Sequence, residues 1–120
     1  MISSMIKSGD WKGEKHVPVI HVEKAVAGED VVVRLVIGEE IPHPNTFEHY
    51  IGWIKLFFKP ESFAAPIEVA NVEFKAQGES DVFSKFEATV KFAAKESGQL
   101  YAVSYCNIHG LWESEAELKF

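Results

Sequence analysis

Trp112-Glu113-Ser114-Glu115-Ala116-Glu117-Leu118-Lys119-Phe120 ends the chain in strict alternation, with apolar or small residues at even positions and charged ones at odd positions. A period of two marks a strand with one face on a core and the other in water; wound as a helix, the same residues would spread their apolar groups all round. The pattern recurs upstream. In 85–92, Phe86, Ala88, Val90 and Phe92 alternate with Glu87, Thr89 and Lys91, and residues 31–37 (VVVRLVI) form a strongly β-branched run. Segments 19–26, 50–58, 67–76 and 99–105 complete a count of seven strands.

Within 67–76, Ile67 and Val69 share one parity while Val72 and Phe74 share the other, which predicts a β-bulge or bend inside that run. Turn chemistry separates the segments at Ala27-Gly28-Glu29-Asp30, Lys59-Pro60-Glu61-Ser62, Gly78-Glu79-Ser80-Asp81 and Glu96-Ser97-Gly98. No long stretch has helical period; short helical turns are expected around 45–50 and 61–65. Seven short strands with regular turns predict an all-β, antiparallel, immunoglobulin-like β-sandwich with binding residues in the loops at one end.

The 120 residues are expected to form one domain over 1–120, with no repeat, linker or low-complexity tract to divide them. Twelve basic against eighteen acidic residues give a net charge of −6, an acidic balance that argues against nucleic acid as a partner. No segment approaches the roughly 20 apolar residues of a membrane span, and the N-terminal MISSMIKSGDWKGEKH lacks the apolar core of a signal peptide. A cytoplasmic protein is expected. One cysteine, Cys106, excludes an internal disulfide and any tetracysteine metal site. Its thiol stays reduced, binds something, or pairs between chains; a reducing compartment suits the first two.

The five histidines are distributed unevenly. His16, His43, His49 and His109 lie in turn-forming contexts, and only His21 falls within a strand run. His43 is flanked by Pro42 and Pro44, which fix φ on either side and limit the entropy lost when its ring binds. Cys106-Asn107-Ile108-His109 lets one turn present a thiolate and an imidazole to a single centre, with backbone N–H groups free to tune the sulfur. Each element has an ordinary reading as well: a buried small hydrophobe, an exposed loop histidine, a stiff Pro-His-Pro turn. Together they point to a metal site.

Tetrahedral zinc needs only four ligands, and this set offers four imidazoles and a thiolate. Blue copper uses two histidines, a cysteine and usually an axial methionine; here the methionines are Met1 and Met5, and none follows His109. Four nitrogens and a sulfur suit a square-pyramidal iron with its sixth position free. A cupredoxin-like electron-transfer protein stays open as the alternative, as does a non-enzymatic immunoglobulin-like interaction module.

Three motifs in order, Glu14-Lys15-His16-Val17-Pro18, His43-Pro44-Asn45 through His49, and Cys106-Asn107-Ile108-His109-Gly110-Leu111-Trp112, resemble the one-iron, neelaredoxin-type superoxide reductases, the iron-binding domain of the desulfoferrodoxin family. The chain has neither the length nor the cysteines for the extra iron domain of the two-iron relatives. The resemblance implies one Fe2+/Fe3+ ion per chain, with His16, His43, His49 and His109 as equatorial ligands and Cys106 as the axial thiolate. It further implies Glu14 as the carboxylate that caps the sixth position in the oxidised resting state, and Lys15 as the cation beside the open site. The implied reaction joins superoxide, one electron and two protons into hydrogen peroxide, with no oxygen released. A rubredoxin-like donor and a homotetramer are implied too; His21 matches no ligand position. Lys15 also makes sense physically, since a small anion approaching a protein of charge −6 needs a local cation.

Overall fold

The computed structural model describes residues 1–120. Seven antiparallel strands follow one another as β1 (Val19–Lys24), β2 (Asp30–Val36), β3 (Ile51–Pro60), β4 (Ile67–Glu73), β5 (Glu87–Ala93), β6 (Gly98–Cys106) and β7 (Gly110–Leu118). They form a three-stranded sheet in the order β1-β2-β5 and a four-stranded sheet in the order β4-β3-β6-β7. This is the two-sheet, all-β arrangement expected from the alternating runs. No helix is long and apolar enough to cross a membrane.

The period-two runs put their apolar parity between the sheets. Val31, Val33 and Leu35 of β2 are fully buried and share one cluster with Ile54 and Leu56 of β3, Leu100 and Ala102 of β6, and Leu118 of β7. Burying each such side chain stabilises the fold by about 1.5–3 kcal/mol. In β7, Glu113, Glu115 and Glu117 face water while Trp112 and Leu118 are buried. On the outer face of the smaller sheet, Arg34 of β2 donates to Glu23 at 2.7 Å, Glu87 at 3.2 Å and Glu39 at 3.4 Å. That fan ties β1, β2, β5 and the loop after β2 together.

Three bulges adjust the register, the first between β1 and β2, where the pairing passes from Val22 opposite Val33 to Lys24 opposite Val32 and skips Glu23. Between β3 and β4 the pairing passes from Leu56 opposite Ala70 to Phe57 opposite Glu68, so Val69 is skipped. This is the parity change expected in 67–76. A third bulge, which the apolar residues of both parities in 50–58 conceal, skips Gly52 between the pairs Ile51–Cys106 and Trp53–Tyr105. It turns both Ile51 and Ile54 into the core, each fully buried.

The short helical turns expected at 45–50 and 61–65 are not helical. At 45–50, Thr46 and His49 exchange backbone hydrogen bonds of 2.9 and 3.2 Å, a closed turn that leaves no run of helical bonds. At 61–65, the Ser62 N–H donates to the Glu96 carboxylate at 2.7 Å instead of to a helical carbonyl. Single 3-10 turns occur elsewhere, at Ile2–Ser4 and Glu79–Asp81.

The candidate ligands collect at the end of the sandwich where β6 stops at Cys106, β7 starts at Gly110 and β3 starts at Ile51. The N-terminal segment reaches this end by lying along β7. The Lys7 N–H donates to the Leu111 carbonyl at 3.1 Å, and the Glu113 N–H donates to the Lys7 carbonyl at 2.8 Å. Two hydroxyls pin the residues that lead into β1: Ser114 donates to the Pro18 carbonyl, and Ser104 to the His16 carbonyl at 3.3 Å.

Candidate metal centre

Cys106 is the last residue of β6 and is completely buried opposite Ile51. The chain turns at once, and Gly110, at φ +80°, lets it enter β7 in a left-handed conformation that side chains disfavour. Inside that turn the His109 N–H donates to Cys106 Sγ at 3.4 Å, and His109 Nδ1 lies 3.7 Å from the sulfur. The turn thus presents sulfur and imidazole together, with a backbone donor on the sulfur.

His43 arrives from the loop between β2 and β3. Gly38, at φ +80°, brings the loop back so closely that a Cβ there would stand 2.6 Å from the His43 backbone nitrogen. Asn45 anchors the far side, donating to the Ala76 carbonyl at 3.1 Å and the Ser84 carbonyl at 2.9 Å. His43 Nδ1 lies 2.7 Å from the Pro44 carbonyl, so it carries the proton and Nε2 keeps the lone pair. That Nε2 stands 3.6 Å from Cys106 Sγ. The His49 ring centroid is 4.5 Å from that of His43 and 5.1 Å from that of His109. His49 Nε2 is buried and has no hydrogen-bond partner.

His16 is buried and stacks on Trp112 with centroids 4.9 Å apart and planes 15° from parallel. Its Nδ1 is 2.5 Å from Glu14 Oε1, and its Nε2 is 3.0 Å from His109 Nδ1. Glu14 here braces the back of the His16 ring. Lys15 is half-buried, and its positive charge is felt by His16, His43 and His49. His21 belongs to another cluster: its Nε2 lies 2.8 Å from Glu39, and its ring meets Trp11 edge-on.

One donor atom from each of His16, His49, Cys106 and His109 falls within 4.8 Å of every other, and His43 Nε2 adjoins the sulfur. Bonds of about 2.1 Å to one ion set neighbouring nitrogens ~3 Å apart, the spacing His16 and His109 show. The buried, unpartnered His49 Nε2 is a polar atom that bonding to a metal would satisfy. The donor set therefore fits a metal ion, and one thiolate among imidazoles suits iron.

The surroundings of His16, His43 and His49 favour the neutral, metal-binding form of each ring. Burial, joined by the charges of neighbouring histidines and Lys15, holds His43 down to about 4; the Pro44 hydrogen bond only partly offsets it. Burial lowers His49 as well, followed by the charges of His109, His16 and Lys15. For His16, burial lowers the pKa and outweighs the Glu14 hydrogen bond. Burial tends to raise the Glu14 carboxyl, but its bonds to the His16 ring and backbone prevail and leave it below the usual carboxylate range.

Spacing alone does not reveal Gly38, Asn45, Trp112 or Glu14's contact with the His16 ring, because each acts through a close approach. The signals nearest to hand are a glycine five residues before His43 and a tryptophan three after His109.

The desulfoferrodoxin family description matches residues 8–115. A superoxide reductase of Thermococcus kodakarensis is 55% identical over 99% of this chain and 100% of its own length. A neelaredoxin of Megalodesulfovibrio gigas is 45% identical over 92% of this chain and 91% of its own. The reduced superoxide reductase (neelaredoxin) structure from Archaeoglobus fulgidus superposes with a TM-score of 0.92 at 48% identity, covering 96% of this chain and 98% of that one. With its three motifs, its two-sheet sandwich and its histidine–cysteine centre, the chain belongs to the desulfoferrodoxin family.

Proposed function

We propose that this chain is a superoxide reductase, with one iron held by His16 Nε2, His43 Nε2, His49 Nε2, His109 Nδ1 and Cys106 Sγ. The observation that carries the reading is the convergence of a fully buried thiol with imidazole nitrogens, one of them buried without any other partner. When bound, iron alternates between Fe2+ and Fe3+ and supplies the electron that, with two protons, turns superoxide into hydrogen peroxide.

Cys106 holds the buried side of the centre, which leaves the solvent side to the substrate. The His109 N–H keeps its sulfur oriented. Glu14 fixes the tautomer of His16 by accepting at Nδ1, which leaves Nε2 as the donor atom. Swung away from that ring, the same carboxylate would be available as a further ligand to iron in its oxidised state. Lys15 supplies the local positive charge that draws a small anion toward an acidic protein. The electron is restored by a rubredoxin-like protein, the working assembly is a homotetramer, and the reduced thiol suits the cytoplasm.

Metal analysis with visible spectroscopy tests this. The purified chain carries about one iron, and oxidation brings up a thiolate-to-iron absorption band. Copper in its place, or iron without such a band, contradicts the proposal.

A further inference from the structure

We infer that Asn107 is a positioning residue that sets the distance between His49 and the Cys106–His109 turn, and so the size of the metal centre. The inference rests on the ligand set proposed above. Asn107 sits between Cys106 and His109 in sequence. Its side-chain oxygen accepts the Tyr50 N–H at 2.8 Å, and its side-chain nitrogen donates to the Glu48 carbonyl at 2.9 Å. Its own N–H donates to the Tyr50 carbonyl at 3.2 Å.

These bonds grip the residues on either side of His49. The remaining backbone groups of His49 are closed by Thr46. The last β3–β6 register pair is Ile51 with Cys106, so beyond it no strand holds residues 48–50. The Asn107 carboxamide, chemically a peptide group, continues the ladder where the backbone has turned away. Sliding or splaying the two segments would break these bonds together and carry His49 Nε2 off from the donors on the turn.

Each bond contributes only about 0.5–1.5 kcal/mol to folding. Their larger effect is on the metal, because groups that orient ligands typically govern affinity by about 10–100-fold. Leucine has nearly the shape of asparagine but forms none of the side-chain bonds. Asn107→Leu, prepared metal-free as the full chain and loaded anaerobically with ferrous iron, is expected to bind iron about 10–100-fold more weakly by chelator competition. After oxidation, its thiolate-to-iron absorption band is expected to shift as well. A core substitution in β5, Val90→Ala, serves as the control: it lowers the unfolding midpoint of the metal-free protein yet leaves iron affinity unchanged.

If Asn107→Leu does not fold, Asn107→Asp decides the matter. It keeps the acceptor for Tyr50 and loses the donor to Glu48. A carboxylate beside a cation strengthens binding on electrostatic grounds alone, so weaker binding by this variant supports the clamp and equal or tighter binding overturns it. Iron affinity of Asn107→Leu within about twofold of the wild type, which merely structural bonds would give, also overturns it. Failure of the wild-type chain to bind iron at all overturns the proposed function beneath it, a separate and visible result.

Discussion

At His43, two neighbours settle what the ring can do. The Pro44 carbonyl accepts the Nδ1–H hydrogen bond, and Gly38 lets the backbone pass where a side chain could not. Gly38→Ala puts a Cβ 2.6 Å from the His43 backbone nitrogen in a left-handed conformation, so the loop must move. The expected outcome is a loss of about 1–3 kcal/mol in denaturant unfolding, together with reduced iron content. Unchanged iron loading would show that this approach does not position His43.

Protonation offers a second check on the same residue. His43 is lowered from 6.5 to about 4 in the folded chain, so between those values the unfolded chain binds more protons. Stability of the metal-free protein therefore falls as pH drops from about 6.5 to about 4, and this residue adds nothing further outside that window. His16 and His49 are displaced in the same direction and add to the slope. Denaturant midpoints of metal-free protein across the window should decline steadily toward acid; a flat profile would remove burial of neutral imidazoles from the account.

Much of the centre could be read at this scale from the sequence. The Cys106-x-x-His109 spacing and the turn contexts of His16, His43 and His49 single out the residues that the fold brings together. Their supports could not be read, because the partners of Asn107, Asn45 and Trp112 lie across the chain. Glu14 illustrates the difference. Its proximity to His16 is a two-residue fact, whereas its contact with Nδ1 depends on how the loop folds.

Strands were legible wherever one face is wet. In β7 and β5 the alternation of glutamate, lysine and threonine with apolar residues reports the buried face directly. In β3, apolar residues occupy both parities, so the Gly52 bulge leaves no pattern, although it is what turns Ile51 inward beside Cys106. The two loop turns at 45–50 and 61–65 differ from the helical expectation because Thr46 and His49 close on each other's backbone and the Ser62 N–H ends on the Glu96 carboxylate, neither of which local propensity reports. Leu56 lies deep in β3, fully buried on the strand that leads away from the site. Leu56→Ala should lower stability by about 2–5 kcal/mol and leave the absorption spectrum of the iron-loaded protein intact. A changed spectrum at unchanged stability would mean that core and centre are coupled in a way this packing does not show.

For the whole molecule, the governing quantity is charge. A net charge of −6 repels superoxide at a distance, and the proposed role of Lys15 is to offset this close to the imidazoles. Lys15→Ala should slow the reaction with superoxide several-fold at low salt and flatten its dependence on ionic strength, with iron content intact. An unchanged rate with a steep salt dependence would place the attracting charge elsewhere.

The most direct test of the central claim is the product balance of iron-loaded, reduced protein mixed with superoxide. Each superoxide consumed should yield one hydrogen peroxide and one oxidised iron, with no oxygen evolved. Oxygen release with half as much peroxide, leaving the iron reduced, would mean dismutation and contradict the account.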